Sequence, residues 1–204
     1  STEMSSALCS IDRVSASANM NNRLSEAIVE AYKSTNGTPI SFELMLKCYQ
    51  SRMKDANNDD SISSVLKQLV NAHIFESEDK VSLIDDSYII KMDGYPKDGP
   101  IAKAIVYFLM SKLNNIYELL DKQAVNDEVV QIRHFSIIDE AHYMLDFDNR
   151  PLRNLIAVGR NKGLSIILAT QNMSSFKSKG FDFYANAQYP LIMKQQTIDD
   201  KVIK

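Results

Sequence analysis

The chain has 204 residues, 45% apolar and 24% charged, with a net charge of −3, values ordinary for one folded core with a small satellite unit. That balance excludes a protein coated in basic residues. No apolar run approaches the ~18 residues of a membrane span, and Ser1-Thr2-Glu3-Met4 lacks the basic region and apolar segment of a secretory signal. The absence of an initiator Met at position 1 fits a piece of a longer protein. Cys9 and Cys48 share no metal-type spacing with the three histidines. They read as reduced thiols of a cytoplasmic protein, serving mainly as apolar filler.

Residues 1–18 are rich in Ser and Ala with little periodicity and stay unassigned. From Asn21 to Ser34 the positions Leu24, Ile28, Val29 and Tyr32 recur at helical spacing. Asn36-Gly37 stops that helix and Thr38-Pro39 opens the next, marked by Phe42, Leu44, Met45, Leu46 and Tyr49. The polar run 55–60 is a loop, and Ile62, Val65, Leu66, Leu69 and Val70 mark a third helix. Glu76 to Lys80 reads as a polar turn and Val81 to Ile84 as a short strand. Three helices and a small β element spell a winged-helix-like unit, a frequent DNA reader. Its third helix offers Lys67 and Gln68 but no Arg, in acidic surroundings, which favours a protein-packing insertion over 1–86.

The rhythm changes over 87–204. Tyr88 to Met92 reads as a strand broken at Asp93-Gly94-Tyr95-Pro96, followed by a helix from about Ile101 to Leu120 with Ile105, Phe108, Leu109, Leu113, Ile116 and Leu119 on its apolar positions. Phe135 to Ile138 is a strand, Leu152 to Val158 a helix, Leu164 to Ala169 a strand after Gly163, and Tyr189 to Met193 a last strand beyond a loop-rich stretch. Alternation of this kind predicts an α/β fold, a parallel sheet with flanking helices whose strands are buried on both faces. Chemistry in such sheets gathers beyond the carboxyl ends of the strands, where Asp139, Glu140, Thr170 and Gln171 fall.

His134-Phe-Ser-Ile-Ile-Asp-Glu-Ala-His142 carries the most information. An apolar strand ending in two carboxylates reads as a Walker B strand of a P-loop ATPase. The first acid, Asp139, sits near Mg²⁺, and the second, Glu140, polarises the attacking water. Ala169-Thr170-Gln171 ends the next strand, where a side-chain amide can sense the γ-phosphate of ATP or orient the water. Between the two lies Gly159-Arg160-Asn161-Lys162-Gly163, whose guanidinium could reach a neighbouring subunit's phosphates. No G-x-x-x-x-G-K-[S/T] loop occurs in the chain, so by itself it is expected not to turn over ATP. Residues 150–204 carry nine Lys/Arg against three Asp, which permits an anion-facing surface. Arg153, Lys177 and Lys179 are its candidate contacts to DNA phosphates.

I-I-D-E-A-H, a helix, and G-R-N-K-G-L-S-I-I-L-A-T-Q together resemble the HerA/FtsK group of P-loop motor ATPases, which includes conjugation and secretion ATPases. The likeness is close over Phe135 to Gln171 and loose from Tyr88 to Met193. It implies a partial RecA-like parallel sheet, with Asp139 as the Mg²⁺-associated acid, Glu140 as catalytic base, Gln171 as sensor and Arg160 as trans-acting arginine finger. It also implies a hexameric ring that moves along duplex DNA with ATP. The acidic helical insertion and the I-I-K-M-D-G-Y-P-K-D segment look most like the DptH-type ATPases of phosphorothioation-dependent DNA restriction, which implies protein partners from such a system.

Two rivals share these residues. Asp139-Glu-Ala-His142 also spells the DEAH box of superfamily-2 helicases, but that family usually has Ser-Ala-Thr after the next strand, where this chain has Ala-Thr-Gln. A degenerate, non-catalytic ATPase-fold scaffold would explain the missing phosphate loop, while the intact set of Asp139, Glu140, Arg160 and Gln171 argues against decay. A metal site at His142 and Glu140 has too few ligands. His73 reads as packed or surface, His134 has no evident partner, and the aromatics from Phe176 to Tyr189 read as core or interface before nucleotide stacking.

Overall fold

The computed structural model describes residues 2–11, 16–36, 38–55, 58–75, 82–126, 129–171, 176–178, 181–183 and 185–193. Four helices lead the chain: α1 (Thr2–Ile11), α2 (Ala18–Ser34), α3 (Phe42–Gln50) and α4 (Ser61–Asn71). Short polar side chains start three of them. Ser17 accepts from the Met20 amide, Ser41 accepts from the Leu44 amide, and Asp60 makes a reciprocal capping box with Ser63. Asp60 does more than cap. Its carboxylate also accepts the Tyr49 hydroxyl at 2.7 Å and pairs with Arg23 at 3.3 Å, so one residue ties α2, α3 and α4 together.

Helix α1 corrects the unassigned start. Its serines are poor helix formers, yet Ser5 and Ser10 donate back to the carbonyls of Thr2 and Ala7, and packing supplies the rest. Leu8 and Ile11 are each 1% exposed, burial worth about 1.5–3 kcal/mol per side chain. On α2, Ala27 and Ala31 take the buried stripe beside Leu24 and Ile28, while Val29 and Tyr32 are turned to solvent. Helix spacing therefore identified the element and missed part of its face.

The central element is α5 (Pro100–Leu119), with Gly99 before it and Pro100 in its first turn. Its first half, through Ala102, Ala104 and Tyr107, belongs to the core of α1–α4. Its second half, through Met110, Leu113 and Tyr117, packs with Leu145, Leu152, Leu155 and Leu164. The two sequence regions thus share one helix as a common wall. Leu119, expected on the apolar face, is exposed.

Beyond α5 come the short hairpin β1 (Val125–Asn126) and β2 (Val129–Val130), strand β3 (His134–Ile138), α6 (His142–Leu145), α7 (Arg150–Val158), a 3₁₀ turn (Gly159–Lys162) and strand β4 (Leu164–Leu168). A second hairpin, β5 (Lys177–Ser178) and β6 (Phe181–Asp182), follows. Strands β3 and β4 pair in parallel, His134 opposite Leu164 through Ile138 opposite Leu168. The chain is mixed α/β, with seven α-helices and a parallel strand pair among the described residues.

Several expected strands are not formed among the described residues. Leu83 to Asp85 is a turn, and Val81 and Glu76 to Lys80 lie outside the described residues, so no wing completes a winged-helix unit among those described. Tyr88 to Met92 and Tyr189 to Met193 form no ladder. Ile89, Tyr189 and Leu191 in these segments are largely exposed. The parallel pair also departs from burial on both faces. His134, Ser136 and Ile138 are partly covered, whereas Phe135 and Ile137, and Ile167 beside them, face outward and bare.

Candidate active site at the strand ends

The parallel register aligns the ends of β3 and β4, so the residues after Ile138 and Leu168 emerge side by side. Two further backbone bonds extend the pairing past the strands. The Ala169 amide donates to the Ile138 carbonyl at 3.0 Å, and the Ala141 amide donates to the Ala169 carbonyl at 2.8 Å. These pin the 139–141 turn against the end of β4.

Within that turn Glu140 has φ 51°, a left-handed conformation that carries strain in a side chain other than glycine. Its amide donates to Asp139 Oδ1 at 2.9 Å. The turn swings the two acids apart: Asp139 is exposed, and Glu140 leans towards β4. Gln171 Nε2 donates to Glu140 Oε1 at 2.9 Å. His142 Nδ1 lies 3.4 Å from Glu140 Oε2 and 3.4 Å from Thr170 Oγ1. Glu140 and Gln171 therefore meet directly and Thr170 joins them through His142, while Asp139 contacts only the amide of Glu140. His142, read from sequence only as a weak metal ligand, joins them. Its two-residue offset from Glu140 was the available signal, but the left-handed turn that makes the offset work has none.

A groove of about 910 Å³ runs from Asp139 and Glu140 along β3. Its walls are Val106, Leu109 and Leu113 of α5, Ser136 and Ile138 of β3, and the segment 83–93. His134 lines the same groove, and burial holds its imidazole below the ordinary 6.5, favouring the neutral ring.

The basic candidates lie elsewhere. Arg160 sits at the start of the 3₁₀ turn before β4, the opposite end of the strand from Glu140. Five residues separate those ends, roughly 16 Å at strand rise. Its guanidinium is exposed, and the Gln188 amide, turned to present its oxygen, accepts from Arg160 Nε at 3.1 Å. Lys162 in the same turn donates to the carbonyls of Tyr117 and Glu118 at 2.6 and 3.0 Å, a cation closing the C-terminus of α5. Arg153 is paired with Asp148, which also receives Ser6 of α1. Lys177 lies on β5, and Lys179 is outside the described residues.

Among the described residues no group of three or more His, Cys, Asp or Glu side chains could hold a metal ion, and no helix is long and apolar enough to cross a membrane. Mg²⁺ needs no such group, since it is bound through one or two carboxylates together with phosphate oxygens and water. The exposed Asp139 carboxylate at a strand end fits that requirement. No protein-family model matches the chain, and no curated protein matches it in sequence.

Proposed function

We propose that this chain supplies the hydrolytic half of an ATP-driven DNA motor of the HerA/FtsK type. The observation that carries the reading is the bond between Gln171, at the end of β4, and Glu140, just past the end of β3. A side-chain amide reaching the second acid from the adjacent parallel strand is the arrangement that a general base and its water-orienting partner need. The two-stranded width of the parallel sheet among the described residues and the bare outer face of β3 and β4 further support a larger RecA-like sheet, because parallel sheets occur with both faces covered.

In this reading Asp139 would hold Mg²⁺, Glu140 takes the proton of the attacking water, and Gln171 keeps Glu140 and that water in register. Thr170 lines the phosphate side of the same strand end. Bound Mg²⁺ supplies neutralisation of charge on the phosphoryl group. Arg160, at the far end of the sheet, serves a neighbouring subunit in a ring and not its own site. Duplex DNA, the hexameric ring and a role in DNA restriction with partner proteins rest on the resemblance of I-I-D-E-A-H and G-R-N-K-G-L-S-I-I-L-A-T-Q. The chain has no phosphate-cradling loop of its own, so turnover belongs to the full-length protein.

The test is DNA-stimulated ATP hydrolysis by the full-length protein beside Glu140→Gln. Loss of a general base is expected to cut kcat by about 10²–10⁴-fold while nucleotide still binds. Absence of turnover in both proteins would overturn the motor in favour of a non-catalytic scaffold.

A further inference from the structure

We infer that His142 is a positioning residue for Glu140, an inference that rests on reading Glu140 as the general base. Glu140 sits in the left-handed region at φ 51°. Its side-chain direction is set by contacts, and the structure supplies one at each oxygen. Gln171 Nε2 is 2.9 Å from Oε1, and His142 Nδ1 is 3.4 Å from Oε2. An ionised carboxylate only accepts, so the ring can serve Glu140 only as the positive side of the pair, and at 3.4 Å the two make a charge contact and not a hydrogen bond. Thr170 Oγ1, at 3.4 Å, is the hydrogen-bond partner of the same nitrogen, with the direction set by the ring tautomer.

The ring itself is braced. It lies against Tyr143 with centroids 4.1 Å apart, and Tyr143 packs on the large helical core. His142 opens α6, whose next amide, of Tyr143, donates back to the Glu140 carbonyl at 3.1 Å. The imidazole therefore links three things: the candidate base, the Thr170 end of β4, and the core. Each carboxylate oxygen has two acceptor sites. A hydrogen bond at Oε1 and a charge contact at Oε2 orient the group and leave acceptor sites for the attacking water. A tethered carboxylate of this kind is held ready and not blocked.

The experiment compares the full-length wild type with His142→Phe and His142→Asn in DNA-stimulated ATP hydrolysis, resolving kcat from KM. Phenylalanine keeps the ring against Tyr143 and removes the nitrogen. Asparagine gives up the ring and offers an amide donor near the position of Nδ1. A tether acting through Glu140 predicts a kcat about 10- to 100-fold lower in His142→Phe, with KM for ATP within about twofold, since misplacing a catalytic group costs about that much. His142→Asn is expected to recover kcat to within about threefold of wild type. Unchanged kcat in His142→Phe overturns the inference, as does an equal fall in both variants, which would mark the ring as packing alone. A raised KM at constant kcat overturns it too, by assigning His142 to nucleotide binding. Wild type with turnover insensitive to Glu140→Gln removes the reading beneath it, a result separable from the other three.

Discussion

Lys103 shows how a single charged residue is accommodated inside this molecule. Its side chain is 2% exposed, its ammonium meets Asp146 Oδ2 at 2.9 Å, and it lies over the Phe147 ring. Asp146 is partly open to solvent, so the two partners are not equivalent. Asp146→Asn leaves a buried cation without its counter-ion and is expected to cost about 3 kcal/mol. Lys103→Met keeps most of the stem and removes the charge, and is expected to stay within about 1 kcal/mol of wild type. Urea midpoints of the two variants check this; a larger loss in Lys103→Met would show that the pair itself stabilises the fold. Asp148, two residues on, has a comparable linking role. Its amide donates to Ser10, its carboxylate receives Ser6 and pairs with Arg153, and so α1 is fastened to the loop that follows α6.

Among the elements, the turn into β4 is the most constrained. Gly163 has φ 81°, and an added Cβ would stand 2.7 Å from the Gln131 carbonyl oxygen and 3.0 Å from the Arg133 amide nitrogen. Both neighbours are backbone, so neither can swing aside. The Gly163 carbonyl accepts from the amides of Arg133 and His134, which sets the first rung of the parallel pair. Gly163→Ala is therefore expected to cost at least about 1–3 kcal/mol and to disturb the β3–β4 register. Thermal melts report the loss, and amide exchange along Phe135 to Ile138 reports the register; normal protection there would show that the strands pair independently of this turn. The reading of Gly163 as the entry to a strand was available from the sequence. The close approach to the neighbouring chain segment was not, because Gln131 and Arg133 are brought there by tertiary pairing.

For the whole molecule, the unusual feature is a parallel pair covered on one side. Phe135 is 57% and Ile137 68% exposed, and Ile89 of the groove wall is 89% exposed. Apolar patches on an open sheet promote association and dye binding. The chain is expected to bind an apolar fluorescent dye while folded and to associate as its concentration rises. Ile137→Lys is expected to weaken both with a change in stability within about 0.5 kcal/mol, as for a surface site. Dye fluorescence and sedimentation measure the first two. A loss of several kcal/mol would mean the face is packed.

The helices at 21–34, 42–50, 62–70 and 101–120 were legible because local apolar periodicity and caps are written into consecutive residues. The two strands that pair were legible for a related reason, being short β-branched runs bounded by Gly163 or ending in polar residues. The placement of Asp139, Glu140, Thr170 and Gln171 at strand ends follows from the same local pattern. Helix α1 escaped because its stability comes from Leu8 and Ile11 in a core assembled by other helices. The segments at Tyr88 and Tyr189 have strand-like composition, but a strand needs a bonded edge, which composition does not provide. The sequence by itself determined which residues carry charge and amide chemistry and which local elements bear them. Only the tertiary structure decided that Glu140 takes a left-handed turn to face Gln171 and His142, and that Arg160 lies at the other end, because parallel register and the Ala141–Ala169 bond act between segments far apart in the chain.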